Sequence, residues 1–88
     1  MTIEQRIYTV AFSGDNMTVR FSDEREITLP VSYFPRLQSA TGPQRQQWSL
    51  IGRGIGVHWE CVDEDLSVEN ILSAYSRHRK GSYAPASH

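Results

Sequence analysis

Gly52-Arg53-Gly54-Ile55-Gly56-Val57-His58-Trp59-Glu60-Cys61-Val62-Asp63-Glu64-Asp65 is the segment around which the rest of the chain is arranged. It contains three alternating glycines, a tryptophan, the lone cysteine and a dense acidic run. The glycines do not spell a dinucleotide fingerprint: their spacing is wrong, and the segment before them reads as helix rather than strand. Glycine at alternate positions predicts an extended segment with one bare face, close to another backbone or a flat ring. In that conformation Val57 and Trp59 share a face, and His58 and Glu60 share the other.

Downstream, Ser67 is placed to cap a helix, with Leu66 and Ile71 forming a hydrophobic staple across its first turn. Val68, Ile71, Leu72 and Tyr75 recur at helical spacing, which predicts an apolar stripe lying on a sheet. Asp63 to Asp65 and Glu69 suit the positive end of the helix dipole; Arg77, His78, Arg79 and Lys80 suit the negative end. Gly81 is expected to stop the helix. Residues 81–88 are small, polar and Pro-containing, and are expected to form a flexible tail after a single domain at 1–80.

Upstream, residues 7–12 alternate, with Tyr8, Val10 and Phe12 on one face. Ser13-Gly14-Asp15-Asn16 supplies a turn, and Met17, Val19 and Phe21 alternate after it. Ile27 and Leu29 make a short third strand closed by Pro30, which has no N–H for a ladder. A lone sheet of this size needs a cover. Between the meander and the glycines, Ser32 is expected to cap a short helix through Leu37. Thr41 and Gln44 fit a capping box, and Trp48 and Ile51 read as one helical stripe ended by Gly52. The expected fold is α+β: an antiparallel three-stranded meander plus a further strand, covered by two or three short helices.

Composition narrows the function. Eighty-eight residues with nine Lys+Arg against ten Asp+Glu give a net charge of −1. No global field points to nucleic acid or membrane. One cysteine excludes an intramolecular disulfide framework and fits a reducing compartment. No basic leader with an apolar core opens the chain, and no run is long enough for a membrane span, so a cytoplasmic protein is expected.

The pattern Val19-x-Phe21-Ser22-Asp23, Tyr33-Phe34-Pro35-Arg36-Leu37, Ala40-Thr41, Gln44-Arg45, Trp48, Gly54-Ile55-Gly56, His58-Trp59 and Asp63-Glu64-Asp65-Leu66-Ser67 resembles the small bacterial domain of unknown function 2442. The resemblance runs from about Tyr8 to Leu72 and implies a small α+β domain. In some members a helix-turn-helix DNA-binding module follows; this sequence ends before one would fit. Members are often encoded beside another small protein, in arrangements that suggest toxin–antitoxin pairs, and at least one cyanobacterial member is linked with haem binding and iron regulation. Glu60 stands where a small residue or proline commonly follows the His-Trp pair.

No catalytic constellation is evident, and a non-enzymatic role is expected. Asp63, Glu64 and Asp65 are explained by capping, and residues three apart on a strand, such as His58 and Cys61, face opposite ways. One Cys and three His fall short of a structural zinc set, so no metal is expected. The expected role is a regulatory or antitoxin-like module that binds a neighbouring-gene protein or self-associates. Arg53, Trp59, Arg77, Arg79, Lys80 and Tyr83 are the candidate partner-binding residues. The alternative is a haem-binding regulator, with His58 or Cys61 as axial ligand and His78 in reserve. A third reading is weak nucleic-acid binding through the basic run at residues 77–80.

Overall fold

The computed structural model describes residues 5–83, the last four as backbone only. Strand β1 (Ile7–Ser13) turns through Gly14 and Asp15 into β2 (Asn16–Phe21), and β3 (Glu26–Pro30) completes an antiparallel sheet in the order β1-β2-β3. Gly14 takes the positive φ that this two-residue turn needs. Met17, Val19, Phe21, Ile27 and Leu29 all face the core, as their alternation predicts.

The first strand departs from expectation. Its register slips by one residue between Ile7 and Thr9, a β-bulge. Ile7 and Val10 are therefore both buried, although three residues apart, and Tyr8 is turned out with 67% of its surface exposed. A bulge inserts one residue and reverses the alternation beyond it. The grouping of Tyr8 with Val10 is corrected on that ground.

A 3-10 turn at Val31–Tyr33 leads into α1 (Pro35–Gln38), with Pro35 in its first turn. Phe34 occupies the N-cap with no side-chain cap, so Ser32 does not play the expected role. Helix α2 (Gly42–Arg45) does carry the expected capping box: Gln44 N–H donates to Thr41 Oγ1 and Thr41 N–H donates to Gln44 Oε1. The helix is one turn long. Trp48 and Ile51 are not a helical stripe but the ends of β4 (Trp48–Ile51). Four residues hold too few positions for a hydrophobic period to separate helix from strand.

Strand β4 pairs antiparallel with β5 (Gly56–Trp59), which pairs with β6 (Glu64–Ser67), giving a second three-stranded sheet ordered β4-β5-β6. The one further strand of the sequence reading is thus the centre of a sheet. A 3-10 turn at Glu60–Val62 and the left-handed Asp63 (φ 56°) reverse the chain between β5 and β6.

Ser67 begins α3 (Val68–Tyr83) as expected, by reciprocal hydrogen bonds with Asn70. Ile71 and Ala74 are buried, and Val68, Leu72 and Tyr75 pack partly buried against the core. The helix lies against β3. Its backbone continues through Gly81 to Tyr83, past the expected stop; the rest of the expected tail lies outside the described residues.

The two sheets share one core. Trp59, Phe21, Met17, Leu29, Leu37, Ile71, Val19, Val31 and Val57 are fully buried and come from every layer. Each such side chain contributes about 1.5–3 kcal/mol of transfer free energy. A backbone bond adds to the joint, Ile7 N–H donating to Gly54 O at 2.7 Å, and Val68 N–H donates to Ile55 O at 3.0 Å to hold the start of α3 to the β4–β5 loop.

Candidate functional site

Val57 and Trp59 face the core, so Gly56 and His58 occupy the outer face of the second sheet. His58 sits between Ser49 on β4 and Asp65 on β6 in cross-strand register. Its Nδ1 pairs with Asp65 Oδ1. That hydrogen bond raises the imidazole pKa above its ordinary 6.5; desolvation opposes the rise, and the charges of Asp65, Glu60 and Asp63 add to it. Asp65 is therefore a strand residue with a partner, rather than one of a row of helix-capping acids. The sequence signal was available: a tight reversal after Trp59 brings His58 and Asp65 opposite each other. Among the described residues, no hydrogen bond joins Ser49 to the ring, so this row does not assemble an activated hydroxyl.

Cys61 lies elsewhere. It is exposed in the turn after β5, and its thiol points to the carbonyl of Gln44 at 3.6 Å. His78, half-buried on α3, meets Tyr33: Nδ1 and the phenol oxygen are 3.4 Å apart, and the rings contact edge to face. The three candidate axial ligands thus engage three different neighbourhoods.

The space left by the glycines is filled from within. A Cβ on Gly54, at φ +101°, would come 2.5 Å from the Ile7 carbonyl oxygen. One on Gly56 would come 3.0 Å from the Leu66 carbonyl oxygen. The expectation that another backbone lies close holds at both positions. Gly52 serves the β4–β5 turn with its positive φ, not a helix end.

Trp59 is fully buried, its Nε1 donating to the Arg45 carbonyl at 3.0 Å and its ring edge-on to Phe12. It cannot be an exposed anchor for a partner, and that assignment is withdrawn. Arg45, part of the Gln44-Arg45 element of the sequence pattern, points its guanidinium inward, donating to Leu37 O at 2.9 Å, Gln38 O at 3.1 Å and Gly14 O at 3.3 Å. Arg36 reaches Asp63, both its carbonyl and its carboxylate. Of the other candidates, Arg53 is exposed in the β4–β5 loop. Arg77 donates to Ser73 Oγ and Arg79 lies over the Tyr75 ring. The side chains of Lys80 and Tyr83 lie outside the described residues.

What the surface offers instead is apolar. Leu50, Ile51 and Ile55 are exposed on the β4–β5 hairpin, Ile55 to 56%. Ile55 lines an open cleft of about 520 Å³ with Gln5, Arg6, Ser67, Val68, Glu69 and Leu72. Sequence reasoning missed this cleft because its walls come from the start of the chain, the hairpin loop and α3. Among the described residues no group of His, Cys, Asp and Glu is arranged to hold a metal, and no helix is long and apolar enough to cross a membrane.

Comparison with known proteins accords with the architecture. A family model described as a protein of unknown function (DUF2442) matches residues 7–76. A crystal structure of a protein of unknown function from Rhodospirillum rubrum ATCC 11170 superposes with a TM-score of 0.70 at 23% identity, covering 81% of this chain and 88% of that one. At that identity the likeness is one of fold. No curated protein matches the chain.

Proposed function

The chain belongs to the DUF2442 family, and from that premise we propose that it is a non-enzymatic module that acts by binding a partner protein at the Ile55 cleft. The observation that supports this reading is the disposition of Ile55. A large aliphatic side chain stands more than half exposed at the rim of a cleft walled by Val68 and Leu72, with Arg6 and Glu69 as polar margins. Apolar centres with polar rims are the usual anatomy of protein docking sites. Trp59, Arg77 and Arg79 have contacts within the chain instead, which makes apolar contact the main chemistry on offer at this face.

The partner is the product of a neighbouring gene, in a regulatory or antitoxin-like pairing. Co-expression of the tagged chain with that product tests this. Wild-type protein should retain the neighbour through purification, and Ile55→Glu, which places a charge on an already exposed position, should release it without lowering the melting temperature. A neighbour retained equally by both, or by neither, would count against the cleft.

A further inference from the structure

A sheet edge presents unpaired N–H and C=O groups, and natural edges carry devices that discourage pairing. Three of the four edges here have one. β1 is interrupted by its bulge. β3 opens with Glu26, closes with Pro30 and lies against α3. β6 carries Glu64 and Asp65. β4 has none: its sequence is Trp48-Ser49-Leu50-Ile51, uncharged and free of proline, with Ser49, Leu50 and Ile51 all exposed. The two ends of this edge differ in charge. Arg53 stands in the loop just beyond Ile51, whereas Glu60 and Glu64 lie at the end where β4 begins, beside Trp59, with Asp63 there already paired to Arg36.

We propose that a second copy of this chain pairs antiparallel along β4, joining the two second sheets into one six-stranded sheet about a two-fold axis. The charge asymmetry selects this occupant and this direction. Antiparallel pairing of two copies sets the Arg53 end of each against the acidic end of the other; parallel pairing would align like with like. Directly opposed residues must share a face. Leu50, opposite Val57, faces the core side; Ser49 and Ile51, opposite His58 and Gly56, face out. The register that centres Leu50 on the two-fold satisfies this rule, with Leu50 against Leu50 of the second copy and Ser49 against Ile51. Arg53 lies in the turn that follows Ile51, and Glu60 opens the 3-10 turn that follows Trp59, so antiparallel pairing brings the Arg53 turn of one copy to the Glu60 end of the other.

Such an edge is short, and an interface below the standard size predicts a micromolar, exchanging dimer. Sedimentation equilibrium on the purified chain alone, from low to high micromolar, is the test. Wild-type protein should pass from monomer to dimer. Leu50→Lys should be monomeric throughout with an unchanged melting temperature. Arg53→Glu should weaken the dimer about tenfold, a loss of one favourable and gain of one unfavourable charge contact, and Arg53→Glu with Glu60→Arg should recover it. A wild-type chain that stays monomeric over the whole range overturns the proposal, whatever strand occupies β4 in the cell. So does a dimer indifferent to Leu50→Lys, or one in which the charge exchange restores nothing. The assay contains no partner protein, so its failure leaves the Ile55 cleft untouched, and loss of the partner in Ile55→Glu leaves the dimer untouched.

Discussion

The indole of Trp59 donates its one hydrogen bond to the backbone carbonyl of Arg45, and the guanidinium of Arg45 in turn donates to carbonyls of Leu37, Gln38 and Gly14. One residue thus ties the second sheet, both short helices and the β1–β2 turn together. The helices are each a single turn, far too short to persist without such contacts.

Arg45→Ala should therefore destabilise the chain by about 2 kcal/mol, since bonds from a charged donor are among the stronger ones. Arg45→Lys should recover little, because an ammonium cannot address three carbonyls through one planar fork. Trp59→Ala should cost about 3–5 kcal/mol through the cavity it leaves. Urea unfolding curves check all three, and an Arg45→Ala midpoint equal to wild type would refute the tie.

Two glycines separate steric from purely conformational demands. Gly54→Ala places a methyl against the Ile7 backbone at a positive φ, and is expected to cost about 3 kcal/mol or more. Gly14→Ala meets nothing within 4 Å and should cost only the left-handed strain, about 1–2 kcal/mol. Thermal melts of both variants rank them; equal losses would mean that β1 does not press on the hairpin.

The raised pKa of His58 makes a signed prediction. The folded state holds the proton more tightly than the unfolded chain, so the His58–Asp65 pair contributes stability that is fully present below about pH 6.5. That contribution is lost as pH rises through the raised folded value. Asp65→Asn should remove most of this dependence and return the imidazole toward its ordinary titration, since Asp65 is the largest cause of the rise. Proton NMR titration of the ring, beside melting temperatures across the same range, reads both. A ring in wild type that titrates at or below its ordinary value would contradict the pairing.

Haem addition gives a separate check. Because His58, Cys61 and His78 engage different neighbours and the glycine faces are filled, no Soret shift dependent on any of the three is expected. A stoichiometric shift lost in His58→Ala would show that β5 opens to the ligand.

Short-range features were legible before any coordinates. The Thr41–Gln44 box, the Ser67 cap and the alternation of Met17, Val19 and Phe21 depend on neighbours within a few positions. The Tyr8 bulge was not legible, because it is forced by the register with β2. Nor was the strand at Trp48–Ile51, whose conformation depends on the ladder that β5 provides. For the candidate site, alternation places His58 on the face opposite Trp59, as the structure has it, but Asp65 reads in the sequence as a helix-start acid rather than as the partner of His58. The Ile55 cleft had no local signature at all.

The α+β class, the first meander, the Thr41 and Ser67 caps and the amphipathic last helix are written in the order of residues alone, since they follow from side-chain periodicity and from hydrogen bonds between near neighbours. A second sheet, the burial of Trp59, the meeting of His58 with Asp65 and an outer edge of β4 with no paired strand among the described residues emerge only in three dimensions. Those outcomes depend on which distant segments pair, and pairing is set by the packing of the whole core rather than by any single stretch of chain.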